Sequence, residues 1–140
     1  MPIDMMDHYS IRTTKLEPTR SFYEDVMGLT NGSRPSFDFP GYWLYLGAHP
    51  VVHLMGVDAE SKRNLDEQLG EMNEASLMGG GALDHIAFQA SDLPSVQARL
   101  RKKGVKFFER EVSELKLHQI FLEDPNGIRI ELNFPNEAGG

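Results

Sequence analysis

The chain has 140 residues, of which 40% are hydrophobic and 25% charged, the balance of a globular protein with a buried core. The net charge of −7 and the lack of any basic stripe argue against a nucleic-acid partner. The absence of cysteine excludes disulfide frameworks, thiolate metal sites and cysteine nucleophiles.

The N-terminal residues lack the basic and apolar regions of a signal peptide. No apolar run approaches the roughly 20 residues that span a bilayer. A soluble, cytoplasmic protein without a membrane partner is expected. In chain order, Asp7-His8-Tyr9-Ser10-Ile11 reads as a short strand. A helical pattern follows, with Pro18 near its start, Phe22 and Val26 on one face, and Gly28 as its stop. Strand-like runs follow at 36–39, 42–46 and 51–57. The segment 58–81 is a linker, with a helix predicted over 62–75 from Leu65, Leu69 and Met72, and Gly79-Gly80-Gly81 as a flexible joint. Asp84-His85-Ile86-Ala87-Phe88 is the next strand. Asp92 is the predicted cap of a second helix carrying Leu93, Val96 and Leu100 and stopped by Gly104. Three more strands are predicted over 105–111, 117–122 and 128–134.

This order is one unit used twice. The two Asp-His pairs place their histidines 77 residues apart (85 − 8), and the two stop glycines lie 76 apart (104 − 28). His53 and Glu131, on the last strand of each half, lie 78 apart (131 − 53). The sequence therefore predicts an α+β protein of two βαβββ modules, about 5–57 and 82–134, within a single domain spanning 1–140.

Strand side chains alternate between faces. In the first strand Tyr9 and Ile11 oppose His8, Ser10 and Arg12. In the fifth, Ile86 and Phe88 oppose His85 and Ala87. In the eighth, Ile130 and Leu132 oppose Arg129, Glu131 and Asn133. A lone strand histidine is more often structural than a ligand. The duplicated placement of His8 and His85, with Glu131, instead points to a metal site, because two histidines and a carboxylate form a common shell for divalent ions. His49, before Pro50, reads as a solvent-facing turn residue, and His118 as a surface residue. Trp43, Tyr45 and Phe121 are a candidate aromatic wall or ordinary core. Arg12 and Arg129 are candidate carboxylate partners or surface charges.

The paired modules, the two strand-opening Asp-His pairs and the ending Asp124-Pro125-Asn126-Gly127-Ile128-Arg129-Ile130-Glu131-Leu132 resemble the vicinal oxygen chelate superfamily. That group includes glyoxalase I, extradiol dioxygenases, fosfomycin-resistance proteins and bleomycin-resistance proteins. The resemblance implies a cup-shaped mixed sheet of the glyoxalase/bleomycin resistance/dihydroxybiphenyl dioxygenase type. It implies one divalent metal held by His8, His85 and Glu131, and a small-molecule substrate bound through adjacent oxygens. It also implies a homodimer. His53 sits where glyoxalase I proteins usually carry glutamate. A histidine there resembles the acid–base residue of extradiol dioxygenases, and a fourth metal ligand is the alternative. The expectation leans to extradiol ring cleavage with Fe(II) or Mn(II). The alternatives are a glyoxalase I-like lyase or epimerase using Ni(II), Zn(II) or Co(II), and a non-catalytic drug-binding resistance protein. Phe121 departs from the dioxygenase pattern, which places tyrosine ten residues before the ligand glutamate.

Overall fold

The computed structural model describes residues 2–58, 66–67, 69–70 and 77–136. The chain divides into two compact units, Met1–Leu77 and Met78–Gly140. Each is built around a four-stranded mixed sheet, and the class is α+β, as the sequence predicts. No helix among the described residues is long and apolar enough to cross a membrane.

In the first unit, β1 (Tyr9–Thr13) is followed by α1 (Leu16–Ser21), a π-helical turn over Phe22–Val26, β2 (Thr30–Gly32), β3 (Gly41–Leu46) and β4 (His49–Gly56). In the second, β5 (Ile86–Gln89) leads to α2 (Leu93–Lys102), β6 (Phe107–Val112), a 3₁₀ turn over Ser113–Leu115, β7 (Leu117–Glu123) and β8 (Arg129–Pro135). The strand orders are β1-β4-β3-β2 and β5-β8-β7-β6, with the first pair parallel in each. The duplication read from sequence is thus a duplication of topology. It holds to the residue: Ser10, two after His8, pairs with His53, and Ala87, two after His85, pairs with Glu131.

Each sheet buries its greasy face. Ile11, Leu44, Val52 and Leu54 are buried in the first unit with Tyr23. Ile120, Leu122, Ile130, Leu132 and Phe134 are buried in the second with Leu100 of α2. Burying one such aliphatic side chain contributes about 1.5–3 kcal/mol, so these stripes fix which face of each strand remains for function.

Several local expectations are corrected. His8 and His85 each lie one residue before their strand. The second strand is Thr30–Gly32, not 36–39. There Pro35 and Pro40 limit ladder donors, and Arg34 instead donates to the carbonyls of Phe39 and Gly41 (3.1 and 3.3 Å). Asp92 does not cap α2 through its side chain; it adopts a left-handed conformation (φ 60°), which Asp tolerates better than most residues. The glycine run is a pinned turn. The Gly79 amide donates to the Asn126 carbonyl (2.6 Å), and a Cβ on Gly80 would lie 2.3 Å from the Leu83 carbonyl. Of the helix predicted over 62–75, residues 66, 67 and 69 are helical and Gly70 is not; the rest of that prediction lies outside the described residues.

Candidate functional site

The polar face of the second unit carries His85 and Glu131. The turn Asp124-Pro125-Asn126-Gly127 sets the register. Its Asp124 carboxylate accepts from the amides of Asn126 (2.8 Å) and Ile128 (3.0 Å), and Gly127 supplies the positive φ of 78°. The resulting β7–β8 pairing sets Phe121 beside Glu131 and Gln119 beside Asn133. Glu131 is 9% exposed, a costly place for a carboxylate without partners. A chain of side chains across three strands addresses one of its oxygens. Arg110 has only donors, so its Nε donates to Gln119 Oε1 (2.8 Å) and fixes that amide. Gln119 Nε2 then donates to Asn133 Oδ1 (2.9 Å), and Asn133 Nδ2 to Glu131 Oε2 (2.9 Å). Glu131 Oε1 is left 3.6 Å from His85 Nε2.

His85 is oriented by its chain neighbour. Its Nδ1 donates to Asp84 Oδ2 at 2.7 Å, which holds the Asp84 carboxyl below the usual carboxylate range. In the neutral ring this leaves the Nε2 lone pair outward. The same device recurs at the first strand, where His8 Nδ1 donates to Asp7 Oδ2 at 2.6 Å and likewise lowers the Asp7 carboxyl.

On the polar face of the first unit, His53 lies between two rings. Its centroid is 3.7 Å from His8 and 3.9 Å from Trp43, with planes within 13° and 11° of parallel. His53 Nε2 lies 3.0 Å from the Pro50 carbonyl. A carbonyl only accepts, so Nε2 carries the proton and Nδ1 carries the lone pair. Burial pushes His53 below the usual histidine range, reinforced by His8 and opposed by the Pro50 bond.

The structure therefore brings His8 to His53 and His85 to Glu131, one pair in each unit. Within either unit, among the described residues, no three His, Asp or Glu side chains gather as an ion site. The His85–Glu131 pair nevertheless fits a divalent ion. A carboxylate on the far ring nitrogen is the usual support of a ligating histidine. The separation of His85 from Glu131 is too long for a hydrogen bond. It lies within the roughly 4 Å that two ligand bonds of about 2.1 Å can span.

Other candidates sort clearly. Arg12 is consumed by an ion pair with Asp66 (3.1 Å) and a bond to the Gly70 carbonyl (2.9 Å). Tyr45 donates to the Ser33 carbonyl (2.6 Å). His49 opens β4 and its Nε2 bonds the Asp7 carbonyl (2.7 Å), so it is not a free turn residue. His118 is clamped between Glu109 (2.8 Å) and Glu111, on the face opposite Phe121. Trp43 lines a cavity with His8 and His53. Phe121 stacks on Phe108 (4.7 Å) with the Arg129 guanidinium above both rings, beside a cavity of about 570 Å³. Sequence reasoning missed Gln119 and Arg110, which only pairing register reveals, and Arg34, which sits in a loop of irregular backbone.

The family model described as the Glyoxalase/Bleomycin resistance protein/Dioxygenase superfamily matches residues 5–132. "Glyoxylase I 4" of Arabidopsis thaliana is 25% identical over 131 residues, covering 91% of this chain and 68% of that protein. A "putative glyoxalase family protein" from Bacillus anthracis superposes with a TM-score of 0.68 at 21% identity, covering 96% of this chain and 97% of the other. A point mutant of the fosfomycin-resistance protein FosX from Listeria monocytogenes, complexed with Mn(II) and 1S,2S-dihydroxypropylphosphonic acid, gives 0.66 at 18% identity, covering 96% and 94%. With the family match spanning nearly the whole sequence, this chain belongs to the Glyoxalase/Bleomycin resistance protein/Dioxygenase superfamily.

Proposed function

We propose that the protein is a divalent-metal-dependent enzyme acting on a small metabolite bound through two adjacent oxygens, with extradiol ring cleavage as its reaction class. His85 and Glu131 of the second module and His8 of the first are the proposed ligands. The paired Asp7–His8 and Asp84–His85 contacts support this set, since each points a lone pair outward. The bound ion would supply Lewis-acid stabilisation of charge developing on the substrate oxygens.

The single observation that carries the reaction class is the state of His53. Its Nε2 is committed to Pro50 and both ring faces are covered. With Nε2–H held this way, the Nδ1 lone pair is left for proton transfer, which supports a role for His53 beside a three-residue shell whose open positions suit a two-oxygen substrate and dioxygen. His53 then acts as proton acceptor through Nδ1.

The second reading is a glyoxalase I-like lyase or epimerase, favoured by the similarity to "Glyoxylase I 4". Anaerobic reconstitution with Fe(II) or Mn(II), followed by air and a catechol panel, separates the two. Oxygen uptake with a yellow ring-fission product supports ring cleavage. No uptake, alongside hemithioacetal turnover with Ni(II), Zn(II) or Co(II), overturns it in favour of the lyase. We also propose a homodimer, checked by light scattering on the eluted protein.

A further inference from the structure

The first unit holds a cavity of about 170 Å³ whose lining includes His8, Trp43, His53, Phe37, Phe39 and Arg34. Phe37 and Phe39 stack in parallel, with centroids 5.1 Å apart. The Arg34 guanidinium lies over both rings, at 5.1 and 5.4 Å. Among the described residues, its side-chain hydrogen bonds go to backbone carbonyls, one from each terminal nitrogen. Each of those nitrogens carries a second N–H. The Arg34 Nε is buried without a partner among the described residues. Burial shifts this group downward, and among the described residues no carboxylate opposes that shift.

A half-buried cation without a counter-charge among the described residues carries a desolvation cost. If Arg34 served only to tie its loop, a neutral donor to two carbonyls would do so at lower cost. The guanidinium fork matches a carboxylate in a way two carbonyls do not use. The aromatic lining selects a flat partner, and the volume is below the roughly 300–1,000 Å³ of drug-sized sites, so it admits one small group.

We propose that Arg34 is a specificity residue that takes the carboxylate of a small planar acid in the pocket beside His8 and His53. This deepens the functional reading above, since it names the substrate class as aromatic or enolic carboxylates. The binding claim itself needs only the first unit's residues.

Trp43 is the only tryptophan in the chain and lines the pocket, so its fluorescence reports occupancy. Benzoate is the probe, and benzamide is its neutral isostere. Wild-type protein should bind benzoate saturably below about 10 mM and at least about tenfold more tightly than benzamide, the scale of a charge-assisted bond. Arg34→Gln should reduce benzoate to the benzamide level while leaving benzamide and the bound metal unchanged. Arg34→Lys should keep part of the preference. Equal affinity for the two probes, or no saturation with either, overturns the proposal even if Arg34→Gln fails to fold. His85→Ala separates the two claims: it should lose metal yet still bind benzoate. An Arg34-dependent benzoate site in a protein that holds no metal would sink the metalloenzyme reading and leave this one standing.

Discussion

Replacing His53 by alanine removes a plate packed on both faces. Two parallel ring contacts, at 3.7 and 3.9 Å, are worth about 0.5–1.5 kcal/mol each beyond their buried area. The bond to the Pro50 carbonyl adds a similar amount. The expected loss is about 1.5–4.5 kcal/mol, or roughly 5–15 °C in Tm for a chain of this length. Domains are commonly stable by about 5–15 kcal/mol, so the variant should remain folded. His53→Phe restores the plate without its nitrogens and should recover most of the Tm. Neither variant should lose metal, while both should lose about 10²–10⁴ in turnover if Nδ1 moves a proton. Thermal melts by circular dichroism, with metal analysis of the same samples, decide this. A His53→Ala melt within a degree of wild type would refute the stacking argument. Loss of metal from His53→Phe would make His53 a ligand.

Three further outcomes are expected. Asp84→Asn and Asn133→Ala should each weaken metal affinity by about 10–100-fold without unfolding, read by competition with a chelator, because they hold His85 Nδ1 and Glu131 Oε2. Gly41→Ala should lower Tm, because its Cβ would lie 2.2 Å from the Leu54 carbonyl and force β3 from β4. The His118 cluster should make stability pH-dependent. Hydrogen bonds to Glu109 and then Glu111 raise His118 above its ordinary value near 6.5, so its contribution is full below that value and lost as pH rises through the raised one. Hydrogen bonds from His118 and Gln97 lower Glu109 below its usual 4.5, so its contribution is present above 4.5 and lost as pH falls through the depressed value. The Tm gap between wild type and His118→Gln should peak between about pH 4.5 and 6.5, and a gap that widens above pH 8 would contradict the assignment.

Much of the fold was legible because it is encoded by side-chain alternation and repeated. The period-2 pattern around Ile86, Phe88, Ile130 and Leu132 named the buried face, and the offsets between His8 and His85 and between His53 and Glu131 named equivalent positions. The pairing then matched those offsets to the residue. What failed was local. The aromatic run 36–39 reads as a strand, yet the flanking prolines and Arg34 turn its backbone inward to side-chain donors. Asp92 has the composition of a cap but not its φ. Arg12 reads as an available cation, and only the tertiary contact with Asp66 shows that it is spent. The Arg110–Gln119–Asn133–Glu131 relay depends on which residues stand side by side in adjacent strands, which no single-strand pattern contains.

Metal analysis of the purified protein decides whether His8, His85 and Glu131 hold one ion. Wild type, His8→Ala, His85→Ala, Glu131→Ala and His118→Gln would be loaded with Mn(II) or Fe(II), desalted and measured by plasma mass spectrometry. His118→Gln is the comparison because that ring is occupied by Glu109 and Glu111 on the other face of its sheet. One ion per chain is expected in wild type and His118→Gln, with most of it lost in each of the other three. Stoichiometric metal retained by His85→Ala would contradict that assignment.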